Sequence, residues 1–584
     1  MRSSVPVLGP SLSRRAATAI LALILAAGGL LAQPGASHAQ GYRSVDGIYY
    51  NAWSGEATVV ALDGFIPRPT ELKIPSIVNI DGADYTVTTI GAEAFKNAGL
   101  NSVELPDSLK VIGSYSFWNN NITSIQIPDS VTAIGSGAFL DNSIEVLDIP
   151  DSVSHIGNSA FSNNEVASVR IPELIETLGA SAFSNNNLTS VRIPKSVINL
   201  GDRTFSENSL YTVTIPDSVK AIGSGTFRNN ALSSVEIPMS VTVIGNDAFR
   251  DNYLSTVELP HSLTTIGSGA FWNNALTSIQ IPGSVTSVGD SAFRDNSLTS
   301  VRIPDSVTSI GSDAFASPVI SSAGARLTSV DIGRSVARIG DGAFAYNALT
   351  SLIVPDSVTS IGDRAFIGNK IASVRLGSSV TDIGAGAFEN NSLSSVEMPD
   401  SVKTIGHTAF RGNRLTSVTF GSSVASIGLS AFGPSPFGGS SNLTSVRFTG
   451  PAPTTIEGAT DPNPSLGSAP GLIVRVPAAF AEPGTPGYYP TPTWRGYRTL
   501  VEGHTWLVNF ESAGGSAVAP ISVDHDGIVS EPAAPTRSGF KFTGWYTNPA
   551  ATSRYDFATP VTGNVTLYAG WEPTAVNGAG SLGS

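Results

Sequence analysis

A solenoid of short parallel strands, followed by a small separate β-rich module, is the fold that this sequence of 584 residues predicts. Three observations carry the prediction. Sixteen phenylalanines recur in register from Phe95 to Phe432, spaced by 22 residues except for one longer step between Phe315 and Phe344. A glycine stands four residues before each of them, from Gly91 to Gly428. From Trp506 onward the period is lost, and apolar and polar residues alternate around Gly, Pro and Asp. A fixed period of this length marks an array in which each turn buries its apolar face only against its neighbours.

Within one turn the columns separate by physical role. After Phe183, the residues Leu188, Val191 and Ile193 are apolar with polar residues between Val191 and its neighbours, the alternation of a short strand. Pro194 ends that strand because it lacks the N–H for the next ladder bond. Val197 and Leu200 supply a second apolar pair, Gly201 a bend too tight for a side chain, and Phe205 the next core ring. Asn occupies the third position after Phe in thirteen of the sixteen turns, the exceptions being Ala98, Pro318 and Ser435. Such a column predicts an internal asparagine ladder, each amide pairing backbone groups that would otherwise be buried alone.

The ends follow from the need to cap an array. Residues 42–94, with "GIYYNAW" and "EATVVALDGF", read as an N-terminal cap of short strands, and residues 95–449 as the repeats. Residues 450–503 hold ten prolines around the strand-like "LIVRVPAAF" and read as the C-terminal cap and linker. Ahead of the cap, residues 1–39 carry Arg2, Arg14 and Arg15, an apolar run over 16–32 and "SHA" at a cleavage position. That order is the pattern of an export signal, with an uncleaved anchor as the competing reading. No second apolar stretch of spanning length follows, so no membrane span is expected in the mature chain. Residues 574–584 read as a flexible tail.

The columns L-x-x-V-x-I-P-x-S-V-x-x-I-G-x-x-A-F-x-x-N, over roughly residues 70–450, resemble the BspA-type leucine-rich repeats of bacterial surface proteins. The resemblance implies a leucine-rich repeat solenoid with a parallel β-sheet on one face, in a secreted or cell-envelope protein used for adhesion or recognition. Many relatives carry Cys where this chain has Asn, and this chain has no cysteine. Residues 504–573, through "VNF", "PTRSGFKFTGWY", "YDFATPV" and "TLYAGW", resemble the Listeria/Bacteroides repeat, the B-repeat module of internalin-like proteins. That resemblance implies a small β-grasp-like domain, with Trp545, Tyr546, Tyr568 and Trp571 expected in its core.

Chemistry is excluded more easily than it is found. The absence of cysteine removes disulfides, thiolate metal sites and a thiol nucleophile. His155, His261 and His407 fall in three different columns, and no paired carboxylate or nucleophile with a base stands out, so no catalytic residue, metal ligand or cofactor is expected. "GAGSLG" at residues 578–583 lacks the strand and helix that a dinucleotide loop needs, and "DHDG" at 524–527 reads as a β-turn rather than a calcium loop. The net charge of −13 and the lack of a Lys/Arg-rich run outside the first residues argue against a nucleic-acid partner.

Function is therefore expected on the outward positions of the strand face. The residue between the two core strand residues of each turn carries charges of both signs, among them Arg170, Arg192, Glu236, Glu258, Arg302 and Arg375. Trp118 and Trp272, each directly after a core Phe, are expected to reach solvent and to serve as anchors. The partner class that fits is an extracellular protein or glycan. A structural spacer without a specific ligand and, more remotely, an enzyme acting on an extracellular polymer are the alternatives.

Overall fold

The computed structural model describes residues 42–62, 69–317, 326–434, 443–457, 465–466, 471–481, 483–490, 493–495 and 497–574. The export signal expected at 1–39 and nearly all of the expected tail lie outside the described residues, as does the tip of the insertion after Phe315. The chain forms two compact units, residues 1–347 and 348–584.

In the first unit most turns contribute two short strands, a three-residue strand such as Ser190–Arg192 and a two-residue strand such as Asn199–Leu200. Like pairs with like across turns, in parallel and in register: Val191 faces Val213, and Leu200 faces Ile222. The array begins on antiparallel strands. Ile48–Trp53 and Glu56–Leu62 form a hairpin, Ala83–Ile90 runs parallel to its second strand, and Val111–Ile112 adds to that. The hairpin places Ile48, Tyr50, Ala52, Ala57 and Val59 inward, which supplies the first repeat with an apolar face.

Stacked phenylalanine rings form the spine of the core. From Phe95 to Phe344 successive rings lie 5.2 to 5.9 Å apart and within 19° of parallel. The widest steps, 5.9 Å each, flank Phe205, where Thr204 and Thr226 replace the small alanine that precedes most of these rings. The strand ladder is also interrupted between Thr177–Leu178 and Asn199–Leu200.

Polar ladders run beside the rings. Asn186 donates from Nδ2 to the carbonyl of Phe161 in the turn before and accepts the Val166 N–H at Oδ1, at 2.9 and 3.0 Å. The same links recur at Asn120, Asn142, Asn164, Asn230 and Asn252, so the expected asparagine ladder is present and its carbonyls are paired inside the core. A serine ladder, which the sequence reading passed over, lies alongside: Ser130, Ser152, Ser218 and Ser240 each donate to a carbonyl of the preceding turn at 2.6 to 2.8 Å. The repeated glycine is demanded by space, since a Cβ on Gly113 would sit 2.5 Å from the Ile90 carbonyl oxygen.

The second unit repeats this scheme from Ser351–Ile353 to Ser417–Phe420 and then changes it. Ser445–Phe448, Ile473–Pro477 and Tyr497–Glu502 close the array in parallel, and Phe420, Phe448, Tyr489 and Trp494 take over from the ring column. Past Gly503 a four-stranded sheet orders Ile521–Asp524, Thr505–Glu511, Val565–Pro573 and Phe540–Tyr546, with the two central strands parallel. Trp545 is fully buried among Val508, Phe510, Val529 and Leu567, and Trp571 packs at its margin. Tyr546 and Tyr568 differ from expectation: they face each other across strands, half-buried and outside the core, because they alternate with the inward residues Trp545 and Leu567.

Candidate recognition surfaces

The strand face is built by alternation. In each three-residue strand the central residue points inward and the flanking pair outward, so Val191 is buried while Ser190 and Arg192 are exposed. Parallel register then brings the third residue of one strand beside the third residue of the next, as Glu236 lies beside Glu258.

Each of the four arginines predicted on this face is held by a carboxylate of the same surface. Arg170 pairs with Asp151 at 2.7 Å, Arg192 with Glu173, Arg302 with Asp331 at 3.4 Å and Arg375 with Asp356 at 3.5 Å. Exposed pairs of this kind add little stability, but they cancel the charge presented to a partner. In the pair with Arg375, the backbone N–H of Ser378 is the largest influence holding the Asp356 carboxyl below its usual range.

Glu236 and Glu258 behave differently. Both are exposed and neither forms an ion pair among the described residues. They line a cleft of about 480 Å³ together with Asp217, His261 and Met239, whose side chain is largely in solvent. A second cleft of about 580 Å³, in the second unit, is lined by Arg375, Glu397, Asp400 and Arg447, with Arg447 held by Glu502.

The two tryptophans do not reach out as expected. Trp118 is half-buried, donates from Nε1 to Asp141 at 2.8 Å and lies under the Lys96 ammonium. Trp272 donates to Asp295 at 3.0 Å and has the Arg250 guanidinium stacked 3.6 Å from its ring, with Arg294 at 5.2 Å. The position after Phe recurs every turn, so the Trp272 indole falls between the flat guanidiniums of Arg250 and Arg294, and the Trp118 indole beneath the Lys96 ammonium.

Two features carried signals that the sequence reading did not use. Residues two before and two after nearly every core Phe adopt the left-handed conformation, for instance Ser181, Asn185, Arg203 and Asn229, with φ of 53 to 55°, the exceptions being Ser317 and Pro434. The frequent Gly, Asn and Asp of those columns were the sign. His525 lies in the turn that the sequence predicts at 524–527, closed by the Gly527 N–H on the Asp524 carbonyl at 2.7 Å. Its imidazole, however, is 5% exposed, accepts the Trp506 indole N–H at Nδ1 (3.0 Å) and donates from Nε2 to the Thr499 carbonyl (3.2 Å). Burial lowers its pKa, partly offset by Asp526.

No group of three or more His, Asp or Glu residues placed to hold a metal ion occurs among the described residues, and no helix there is long and apolar enough to cross a membrane.

Residues 88–211, 198–320 and 322–449 match the BspA type leucine rich repeat region in six copies, more than half of the chain. The chain belongs to that family. Residues 506–570 match the Listeria-Bacteroides repeat domain. Among curated proteins, a Gly-rich membrane protein of Evansella cellulosilytica is 41% identical over 68 residues, 12% of this chain and 8% of that protein. Internalin H of Listeria monocytogenes is 45% identical over 49 residues, 8% of this chain and 9% of its own. The chain thus spans less than a tenth of the length of these two relatives. A solved leucine-rich repeat protein from Bacteroides ovatus is 24% identical, with 69% of this chain and 94% of that one covered and a TM-score of 0.43.

Proposed function

We propose that this is a non-enzymatic protein of the cell envelope, exported through residues 1–39, whose strand face recognises an extracellular partner. The observation that carries the reading is the contrast in charge on that face. Arg170, Arg192, Arg302 and Arg375 are cancelled by neighbouring carboxylates, whereas Glu236 and Glu258 stand side by side uncancelled in a cleft beside exposed Met239. Like charges placed opposite one another oppose folding, so a pair kept in register without a cation is best explained by a partner that supplies one. A protein surface bearing Lys or Arg beside an apolar side chain fits that cleft. The family and the C-terminal module, of the kind that internalin-like proteins carry, support an envelope location.

The test is binding of the full chain to a panel of extracellular proteins and to whole cells. Saturable binding that weakens with added salt and drops about tenfold in Glu236→Gln/Glu258→Gln supports the reading. Binding indifferent to both salt and substitution refutes it, and absence of any saturable partner favours the spacer.

A further inference from the structure

The most exposed tryptophan in the described structure is neither of the two predicted anchors. Trp53 ends the strand Ile48–Trp53 at the tip of the N-terminal hairpin, and it is 73% exposed. An indole left in water at the end of a strand whose alternate residues Ile48, Tyr50 and Ala52 are buried contributes nothing to the core. Such exposure of a large aromatic is the informative exception to burial.

Its neighbours are polar. Trp53 lies directly opposite Glu56 across the hairpin, so the two side chains share one outward face with Asn51 and Thr58 of the next cross-strand pair. Glu56 in turn lines a cleft of about 600 Å³ whose other walls are Thr86, Thr88, Ser108, Lys110, Ser130 and Thr132. Five of the seven lining residues are hydroxyl-bearing, and none is aliphatic. Lys110 Nζ lies 3.0 Å from Glu56 Oε1, and Thr88 donates to Oε2 at 3.3 Å, which fixes the carboxylate between them. That contact with Lys110 holds the Glu56 carboxyl below its ordinary range, so it remains an acceptor under mildly acidic conditions. Ser108 and Ser130 spend their hydrogens on the carbonyls of Val87 and Leu109, at 2.7 and 2.6 Å, and keep lone pairs for an incoming donor.

We propose that Trp53 and the hydroxyl-lined cleft beside Glu56 and Lys110 form a binding site for a neutral hexopyranose-containing glycan. The indole supplies a flat apolar surface for the C–H face of a sugar ring, and the cleft supplies acceptors for its hydroxyls, with the Lys110 ammonium as a donor. A protein hot spot of comparable size is organised around an apolar or aromatic anchor in a pocket, and no aliphatic or aromatic residue lines this cleft to receive one. A polyanion is disfavoured because the single cation, Lys110, is already bound to Glu56. The site lies in a different part of the chain from the Glu236 and Glu258 cleft and takes a different class of ligand.

The full chain is titrated calorimetrically with neutral hexasaccharides of glucose, mannose, galactose and N-acetylglucosamine. At least one is expected to bind. Trp53→Ala should weaken that binding about tenfold or more, and Trp53→Tyr by less than about threefold, because the smaller ring still stacks. Glu56→Gln should weaken it as well. The thermal midpoint of Trp53→Ala should match that of the parent, since the ring covers nothing, which separates lost binding from lost folding. Three results would overturn the proposal: no hexasaccharide binding at millimolar concentration, binding undiminished in Trp53→Ala, or loss of sugar binding in Glu236→Gln/Glu258→Gln with Trp53 intact.

Discussion

Phe183 and Trp545 are both fully buried aromatics in strand-rich surroundings, and they are buried by opposite means. Phe183 lies between Phe161 and Phe205, rings nearly parallel at 5.6 and 5.9 Å, each a copy of the next. Trp545 meets Phe510 and Phe542 at 66° and 65°, edge to face, in a core where no residue repeats another. The edge-to-face arrangement around Trp545 is one that ring quadrupoles favour. In the solenoid the cost of a defect is set by two neighbours and spreads along a line, whereas in the module one small core carries all of it. Periodic burial constrains every turn to the same residue types. Aperiodic burial constrains each residue once.

Removing the rings tests this most severely. Trp545→Ala should cost about 3 to 5 kcal/mol and abolish a separate module transition while the solenoid transition persists. A single transition shifted as a whole would mean that the two cores unfold together. Phe205→Ala should cost on the same order, about 3 to 5 kcal/mol, in chemical unfolding of the array, and a loss below about 1 kcal/mol would exclude the ring column as core.

Asn186→Ala comes next. It strands the Val166 N–H inside the array and leaves the Phe161 carbonyl with Asn164 Nδ2 alone, at 3.2 Å, and about 1 to 3 kcal/mol should be lost in the same unfolding experiment.

His525 then offers a change specific to the module end of the comparison. Burial depresses its pKa in the folded chain, so the unfolded chain binds the proton more readily. The stabilisation is therefore complete above the unfolded value of about 6.5 and is lost as the pH falls from there towards the depressed folded value. The module's melting temperature should drop across that window in the parent, and the drop should shrink in His525→Phe. The solenoid rings should show no such dependence. An unaltered slope in the variant would assign the acid sensitivity to another group.

The smallest effect is expected at the loosened step. Thr204→Ala removes a branched side chain whose hydroxyl donates to Gly201 at 3.0 Å, and it restores the residue found before most rings. The two terms oppose, and the net change should stay within about 1 kcal/mol by thermal unfolding. A high-resolution structure of the variant should bring the Phe183 and Phe205 rings closer than 5.9 Å.

The periodic part of this molecule was legible because one sequence column means one place in the turn. Phe at every 22nd residue, Gly four residues before it and Asn three after it each had one physical use, and the structure assigns them those uses. The module was legible only as a set of strands. Which aromatic entered its core depended on register, and that separated Trp545 from Tyr546. The candidate sites were legible as positions, not as states. Sequence places Arg192 and Glu236 in the same outward column, but only the approach of Glu173 from the neighbouring turn distinguishes a cancelled charge from a free one.

By itself, then, the sequence determined the period, the core columns and the outward column of the strand face, since these follow from repetition and from the alternation of side chains along a strand. Tertiary structure alone decided which charges were cancelled, that Trp118 and Trp272 were covered by cations of neighbouring turns, and that Trp53 was left bare beside a cleft of hydroxyls. The reason is distance along the chain. The salt bridges Arg170–Asp151 and Lys110–Glu56 join residues 19 and 54 positions apart, and the hydroxyl cleft reaches from Glu56 to Thr132, so their meeting is fixed by how turns pack rather than by any local pattern.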